Sequence, residues 1–161
     1  MRSKRTVHLR STIGDEMLVR DVMTTEVLSV QKLENVVTVA HILSERGISG
    51  LPVVDKQKHV IGIITQADIL SVVGVRREHT FRDLLKNMLG EPLPERRTGD
   101  IVADIMSPVP ITTTPDVTIA KIAQIMDEKK IRRLPVVDEK KKLVGIISRA
   151  DILKAVLKNL T

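Results

Sequence analysis

The sequence predicts a mixed α/β (α+β) chain made of two copies of one β-α-β-β-α unit. One observation is an internal duplication, since the pentapeptide Leu51–Asp55 (LPVVD) returns 83 residues later as Leu134–Asp138. At the same offset and without a gap, 19 of the 50 positions in 21–70 are identical in 104–153. Another is that each copy alternates helix-spaced apolar residues with short apolar runs typical of strands. Because one unit of this size buries too little apolar surface alone, we expect the two copies to pack together.

The elements of each copy follow in a fixed order. The first is a short strand-like stretch at Val27–Val30. A helix comes next, because apolar residues recur at i, i+3, i+4 and i+7. These residues are Val36, Val39, Ala40 and Leu43, with Ile119, Ile122, Ala123 and Met126 as their counterparts. Two strands follow at Leu51–Val54 and Val60–Ile64, joined by a polar turn. A second helix starts at Ala67–Leu70, and in the second copy its apolar spacing continues to Leu160.

The duplication divides the chain into four segments. Residues 1–18 form a basic N-terminal segment, 19–73 the first repeat, 74–100 a linker and 101–161 the second repeat. We expect a short helix at Phe81–Leu89 in the linker, followed by an extended stretch rich in proline.

Composition limits the class of protein. Of the 161 residues 42% are hydrophobic and 29% charged, a balance typical of globular chains. No apolar run approaches the roughly 20 residues that a spanning helix needs, and the basic N-terminus lacks the apolar core of a secretory signal. We therefore expect no membrane association and a cytoplasmic location. The absence of cysteine excludes disulfides, thiolate chemistry and cysteine zinc sites.

Two motifs in each copy carry a resemblance to a known family. One is the hPVVD pentapeptide on the second strand, and the other is G-h-h-T/S-x-x-D, at Gly62–Asp68 and Gly145–Asp151. In tandem they resemble the cystathionine-β-synthase (CBS) domain family, whose paired domains form a Bateman module. The resemblance implies two repeats packed with pseudo-twofold symmetry and two clefts between them that bind adenine ligands. The typical ligands that it implies are AMP, ADP, ATP and S-adenosylmethionine, in a non-catalytic module that signals to an unidentified regulated partner. Of these we expect AMP, ADP or ATP rather than S-adenosylmethionine, and we expect no metal to be required.

The T/S-x-x-D motif provides the first candidate ligand residues. Thr65 with Asp68, and Ser148 with Asp151, are spaced to project a hydroxyl and a carboxylate from the first turn of a helix. A carboxylate accepts two hydrogen bonds at once and so suits the vicinal hydroxyls of a ribose. The alternative is a capping box, which uses the same spacing to begin a helix.

A pair of arginines before the second-copy strand provides the candidate phosphate site. The resemblance implies that Arg132 and Arg133 contact the phosphates of a nucleotide whose ribose is bound by Asp68. Guanidinium groups make charge-assisted contacts to phosphate. The alternative is a solvated charge pair at a strand edge. Ser49 and Gly50 occupy the equivalent positions of the first copy, so we expect unequal clefts.

Aliphatic residues are the candidates for holding the adenine, as the resemblance implies. In the first cleft these are Met23, Leu28, Ile48 and Pro52, and in the second Met106, Ile111, Ile131 and Pro135. The alternative for each of them is an ordinary place in the core.

Other kinds of chemistry have little support in the sequence. The four histidines, His8, His41, His59 and His79, are scattered and form no helix-spaced pair that predicts a metal site. Walker, nucleophile-elbow and dinucleotide-glycine motifs are absent, so we expect no catalytic activity.

Two further functions and one assembly remain open. The net charge of +6 allows a nucleic-acid-binding protein, but the basic residues are dispersed and Phe81 is the single aromatic residue available for stacking. A structural dimerisation unit with empty clefts is the other alternative. We expect a flat, twofold homodimer. The candidate interface is formed by the helix faces that contain Val36, Val39, Ala40 and Leu43, and by their counterparts Ile119, Ile122, Ala123 and Met126.

Overall fold

The structure is a computed structural model that describes residues 14–74, 100–108 and 110–160. The basic segment 1–18 falls largely outside these residues. The linker helix predicted at Phe81–Leu89 lies outside them entirely.

Each copy contains the predicted order of helices and strands, which confirms the α+β fold class of two repeats. In the first copy the elements are α1 (Val19–Val22), β1 (Val30–Gln31), α2 (Val36–Arg46), β2 (Gly50–Val54), β3 (Val60–Thr65) and α3 (Gln66–Gly74). In the second copy they are α4 (Val102–Ile105), β4 (Ser107–Pro108), α5 (Ile119–Glu128), β5 (Arg133–Val137), β6 (Leu143–Ser148) and α6 (Arg149–Leu160).

The strands form two sheets. One has the order β1-β2-β3-β4, and the other pairs β5 with β6 in antiparallel register. The first strand is shorter than the predicted Val27–Val30, because the Val27 amide donates to the Thr25 carbonyl in a turn and the ladder begins only at Val30. Its counterpart in the second copy is a single parallel bridge between Thr113 and Val136.

The described residues divide into two compact units. The repeat-1 unit contains residues 29–53, 61–74 and 100–108, and the repeat-2 unit contains 14–28, 54–60 and 110–160. Each has its own apolar core. The buried core residues of the repeat-1 unit are Val30, Val39, Leu43, Leu51, Val53, Ile64 and Val102. Those of the repeat-2 unit are Val19, Ile119, Ile122, Met126, Leu134, Val136 and Ile147.

The segment that begins each copy belongs to the core of the other copy. Val19, from the first copy, is 0% exposed in the repeat-2 core, and its amide donates to the Val117 carbonyl at 2.9 Å. Val102, from the second copy, is 0% exposed in the repeat-1 core, and its amide donates to the Glu34 carbonyl at 2.9 Å. The units therefore exchange their first helices, which the linear boundaries at 19–73 and 101–161 did not anticipate.

The α2 helix packs its apolar stripe into its own unit. Val36, Val39 and Leu43 are 7%, 0% and 1% exposed, and Ala40 is half-buried. The prediction that this face covers a homodimer interface is wrong, because a helix has one apolar stripe and the sheet of the same unit already covers it. Large apolar side chains are exposed outside this stripe. Leu33, just before α2, and Val37, in its first turn, are 71% and 63% exposed. On α3 and α6 the equivalent residues Leu70 and Leu153 are 66% and 59% exposed.

The two long helices end in the same way with different residues. Gly47 after α2 has φ +62°, and the equivalent Lys130 after α5 has φ +54°. In both, the next amide donates back to the helix, from Ile48 to Leu43 and from Ile131 to Met126, each at 3.1 Å. Glycine adopts this left-handed conformation without steric cost, whereas a residue with a Cβ loses about 1–2 kcal/mol.

We expect Lys130→Gly to stabilise the protein. Relief of the left-handed strain exceeds the extra unfolded-chain entropy of glycine, so the net gain is about 0.5–1 kcal/mol, or roughly 2–3 °C in Tm. Loss of the exposed Lys130–Asp127 pair subtracts little from that gain. The matched change Gly47→Lys should lower Tm in the same thermal denaturation assay. A lower Tm for Lys130→Gly would show that the lysine side chain matters more than the backbone.

Candidate functional site

The two T/S-x-x-D turns have the same geometry. At the start of α3 the Thr65 amide and hydroxyl donate to Asp68 Oδ2 at 2.7 and 2.8 Å, and the Asp68 amide donates to Thr65 Oγ1 at 3.3 Å. At the start of α6 the corresponding distances between Ser148 and Asp151 are 2.8, 2.7 and 3.2 Å. The capping-box interpretation is therefore confirmed at both sites.

Capping leaves part of each carboxylate available. Both donors of the cap reach Oδ2, while Oδ1 of Asp68 and of Asp151 has no hydrogen-bond partner among the residues that the structure describes. Both residues are half-buried. A ligand hydroxyl that donates to Oδ1 would not disturb the cap, so the capping role and the predicted ribose role are compatible.

Each turn is attached to the residues that precede the second strand of its own copy. The Gln66 amide donates to the Ser49 carbonyl at 3.0 Å, and the Arg149 amide donates to the Arg132 carbonyl at 2.9 Å. In the repeat-2 unit, Arg133 also pairs with Ser148 across β5 and β6. The structure thus brings the arginine pair next to the Ser148 turn, while Thr65 and Asp68 belong to the repeat-1 unit.

Arg149 is a positioning residue that the sequence analysis missed. Its guanidinium donates from Nη2 to the Met126 carbonyl at 2.7 Å and from Nε to the Ile131 carbonyl at 3.0 Å. It thereby connects the end of α5 to the start of α6. The equivalent Gln66 makes one such contact, to the Ile48 carbonyl at 3.3 Å. The only sequence signal was the difference between these two residues inside otherwise matching motifs.

The arginine pair combines exposure with partial burial. Arg132 is exposed, whereas Arg133 is half-buried. Desolvation by burial lowers the pKa of the Arg133 guanidinium, and Coulomb repulsion from Arg132 lowers it further. The group remains a cation, because an arginine pKa starts far above neutral pH. A bound anion would relieve the repulsion and replace lost solvation, so the pair is suited to a phosphate.

The candidate adenine residues separate into packed and exposed side chains. Ile48 and Met106 pack against the repeat-1 core, and Met23 and Ile131 against the repeat-2 core. Pro52 and Pro135 are buried within β2 and β5. Leu28 and Ile111 are 43% and 40% exposed in the repeat-2 unit and so have apolar surface that a ligand could cover.

The two methionines lie against glycines of the opposite copy. A Cβ atom at Gly145 would be 2.7 Å from Met23 Sδ, and one at Gly62 would be 2.8 Å from Met106 Sδ. The methionines therefore have a packing role, whether or not a ligand also contacts them.

Neither a metal site nor a membrane-spanning helix is present among the described residues. No group of three or more His, Asp or Glu side chains there could hold a metal ion. No helix in that part of the chain is long and apolar enough to cross a membrane.

Comparison with known proteins links this geometry to a family. The sequence model described as CBS domain matches residues 19–75 and 102–158. Protein MJ1426 of Methanocaldococcus jannaschii is 30% identical in an alignment that covers 89% of this chain and 94% of that protein.

Two relatives have solved structures with bound adenine compounds. CBSX2, a chloroplastic protein of Arabidopsis thaliana, is 29% identical over 91% of this chain, and the chain spans 63% of its length. Its structure in complex with AMP matches with a TM-score of 0.72 and 28% identity, covering 89% of this chain and 98% of the solved one. The CBS domain pair of protein MJ0100, in complex with 5′-methylthioadenosine and S-adenosyl-L-methionine, matches with a TM-score of 0.68 and 25% identity, covering 90% and 98%.

Proposed function

Because the chain belongs to the CBS domain family, as its two repeats predict, we propose that it is a non-catalytic regulatory module that binds an adenine nucleotide between its repeats. The observation that carries the proposal is the duplicated capped carboxylate. In Asp68 and Asp151, Oδ2 accepts the hydrogen bonds that cap the helix, and Oδ1 is available to accept a hydrogen bond from a ligand hydroxyl. The complexes of CBSX2 with AMP and of the MJ0100 pair with two adenine compounds support the ligand class.

The arginine pair favours phosphorylated ligands. Arg132 and Arg133 place two cations in one short segment, which suits AMP, ADP or ATP better than S-adenosylmethionine, whose sulfonium is itself a cation. No metal is needed for this contact, since guanidinium groups neutralise phosphate directly.

Binding is expected to act as a signal. A ligand can shift a conformational equilibrium only by its differential affinity for the two states, so the module would regulate a partner protein through a state that the nucleotide stabilises.

The expected homodimer remains part of the proposal. Its candidate faces are now those of α3 and α6 that contain Leu70, Leu153 and Leu157. The cytoplasmic location also stays a prediction.

We expect at least one of AMP, ADP and ATP to bind with micromolar affinity, a free energy of about −8 kcal/mol. Any ligand that prefers the folded state raises Tm by mass action, so a panel of thermal-shift measurements detects binding. Calorimetry then gives the dissociation constant of each ligand that raises Tm. S-Adenosylmethionine and adenosine belong in the same panel, with and without EDTA, and EDTA should change nothing.

The control for these binding measurements is the double variant Asp68→Asn with Asp151→Asn. The side-chain oxygen of asparagine can still accept the capping hydrogen bonds, so the fold should persist. The ligand hydroxyl loses its acceptor, because the amide nitrogen that replaces the second carboxylate oxygen is a donor. Absence of heat and of a Tm shift for every adenine ligand would contradict the proposal and favour a purely structural module.

A further inference from the structure

The turns of the two β-hairpins meet on one surface of the repeat-2 unit. One turn, 55–59, joins β2 to β3, and the other, 138–142, joins β5 to β6. The Leu143 amide donates to the Lys58 carbonyl at 3.0 Å, and His59 and Lys142 form an antiparallel bridge. Two segments separated by 83 positions in the sequence therefore form one continuous surface.

The two aspartates of these turns stabilise them by accepting hydrogen bonds from backbone amides. Asp55 Oδ1 accepts from the Gln57 and His59 amides, both at 2.9 Å, and its Oδ2 lies 3.0 Å from His59 Nδ1. Desolvation raises the pKa of Asp55, but hydrogen bonds from His59 and Gln57 outweigh it and hold the pKa below its usual value. Asp138 Oδ1 accepts from the Lys140 and Lys142 amides in the same way, at 2.9 Å each.

The remaining side chains of the turns are mostly cationic and exposed. We call the exposed lysines at this surface the hairpin cluster, and its members are Lys56, Lys58, Lys140, Lys141 and Lys142. The acidic residues of the two turns are Asp55, Asp138 and Glu139. Five lysines and three acidic residues give the turns a net charge of +2 when His59 is counted as neutral. Lys58 and Lys141 occupy the left-handed positions of their turns, at φ +71° and +63°, where glycine or asparagine fits better. The turn geometry therefore does not account for the lysines.

We propose that the hairpin cluster binds the phosphate backbone of duplex nucleic acid without reading base sequence. Flexible lysines are point charges that neutralise phosphates, and such contacts fix position without base specificity. The turns contain no aromatic or apolar residue, whereas protein interfaces are rich in aromatic residues and methionine and poor in lysine. A lipid surface is less suitable, since stable membrane binding needs an apolar anchor beside the basic patch.

The proposal predicts a salt dependence. If four or five lysines each neutralise one phosphate, log K should fall with log salt at a slope of about −3.6 to −4.5. Affinity should then fall roughly 150- to 500-fold between 50 and 200 mM salt. This surface is separate from the candidate nucleotide residues, so the inference does not depend on the proposed function.

The test is fluorescence anisotropy with a labelled generic DNA duplex of about two helical turns, at several salt concentrations. The cluster variant carries Lys56→Gln, Lys58→Asn, Lys140→Gln, Lys141→Asn and Lys142→Gln, where asparagine tolerates the left-handed turn positions. The charge-matched control replaces five exposed cations outside the cluster with glutamine: Lys32, Arg46, Lys121, Lys129 and Lys154. Tm and far-ultraviolet circular dichroism verify that both variants are folded.

We expect wild type to bind at 50 mM salt, the cluster variant to lose at least thirtyfold in affinity with a flatter slope, and the control to lose less than threefold. No binding by wild type at 50 mM salt would overturn the proposal. Equal losses in both variants would also overturn it, because diffuse net charge would then suffice. Tighter binding of polyglutamate or of phosphatidylserine vesicles than of the duplex, with the same lysine dependence, would assign the cluster to another class of partner.

Discussion

Replacing Val19 with alanine should destabilise the second copy of the repeat more than the first. Val19 is 0% exposed and packs with Ile122, Leu134 and Ile147 in the repeat-2 core. Val19→Ala removes buried methyl groups and leaves a cavity, so the free energy of unfolding should fall by about 2–3 kcal/mol. Hydrogen exchange read by mass spectrometry should show the loss of protection in α5, β5 and β6, with smaller changes in α2, β2 and β3.

Val102→Ala is the matched control for this exchange of segments. It removes the same groups at the equivalent position, but Val102 packs in the repeat-1 core, so the pattern of lost protection should be reversed. If both substitutions reduce protection equally throughout the chain, the two cores unfold as one cooperative unit. If Val19→Ala affects mainly the first copy, the exchange itself is contradicted.

The exchange could not be predicted from the sequence, although the elements could. Helix and strand periodicities are local, and the duplication presents each of them twice. The choice between two cores for α1 is a tertiary property. Val19 and Val102 are the same residue in similar four-residue helices, so the local pattern does not indicate which core each helix joins.

For the candidate site, the sequence predicted the residues and their possible roles but not which atoms serve each role. The spacing of Thr65 and Asp68 indicated both a cap and a ligand contact, and only side-chain positions show that Oδ2 serves the cap while Oδ1 stays available. The face of α2 was assigned to a dimer because an apolar stripe does not reveal what covers it. The meeting of the hairpin turns had no sequence signal at all, since it depends on a contact between Lys58 and Leu143.

Arg133→Ala should weaken AMP binding tenfold or more and leave adenosine binding almost unchanged. A charged hydrogen bond contributes roughly 1.5–3 kcal/mol, so the Arg133 contact alone should favour phosphorylated ligands by roughly 10- to 150-fold. Asp68→Asn should weaken both ligands, because both carry the ribose. Calorimetry with AMP and adenosine on each variant measures the difference. Equal losses for the two ligands in Arg133→Ala would show that the arginine acts through the fold.

The same variants decide which aspartate shares a nucleotide with the arginine pair. The family resemblance assigns Arg133 to the ligand that Asp68 holds, whereas Arg133 lies beside Ser148 across the β5–β6 ladder. In a double-mutant cycle for AMP, coupling energy appears between residues that contact the same ligand and vanishes between independent ones. We expect Arg133→Ala to couple to Asp68→Asn and to be additive with Asp151→Asn. Coupling to Asp151 instead would place phosphate and ribose recognition within one repeat, and the site of Asp68, with Ser49 and Gly50 beside its turn, would then favour uncharged adenine compounds.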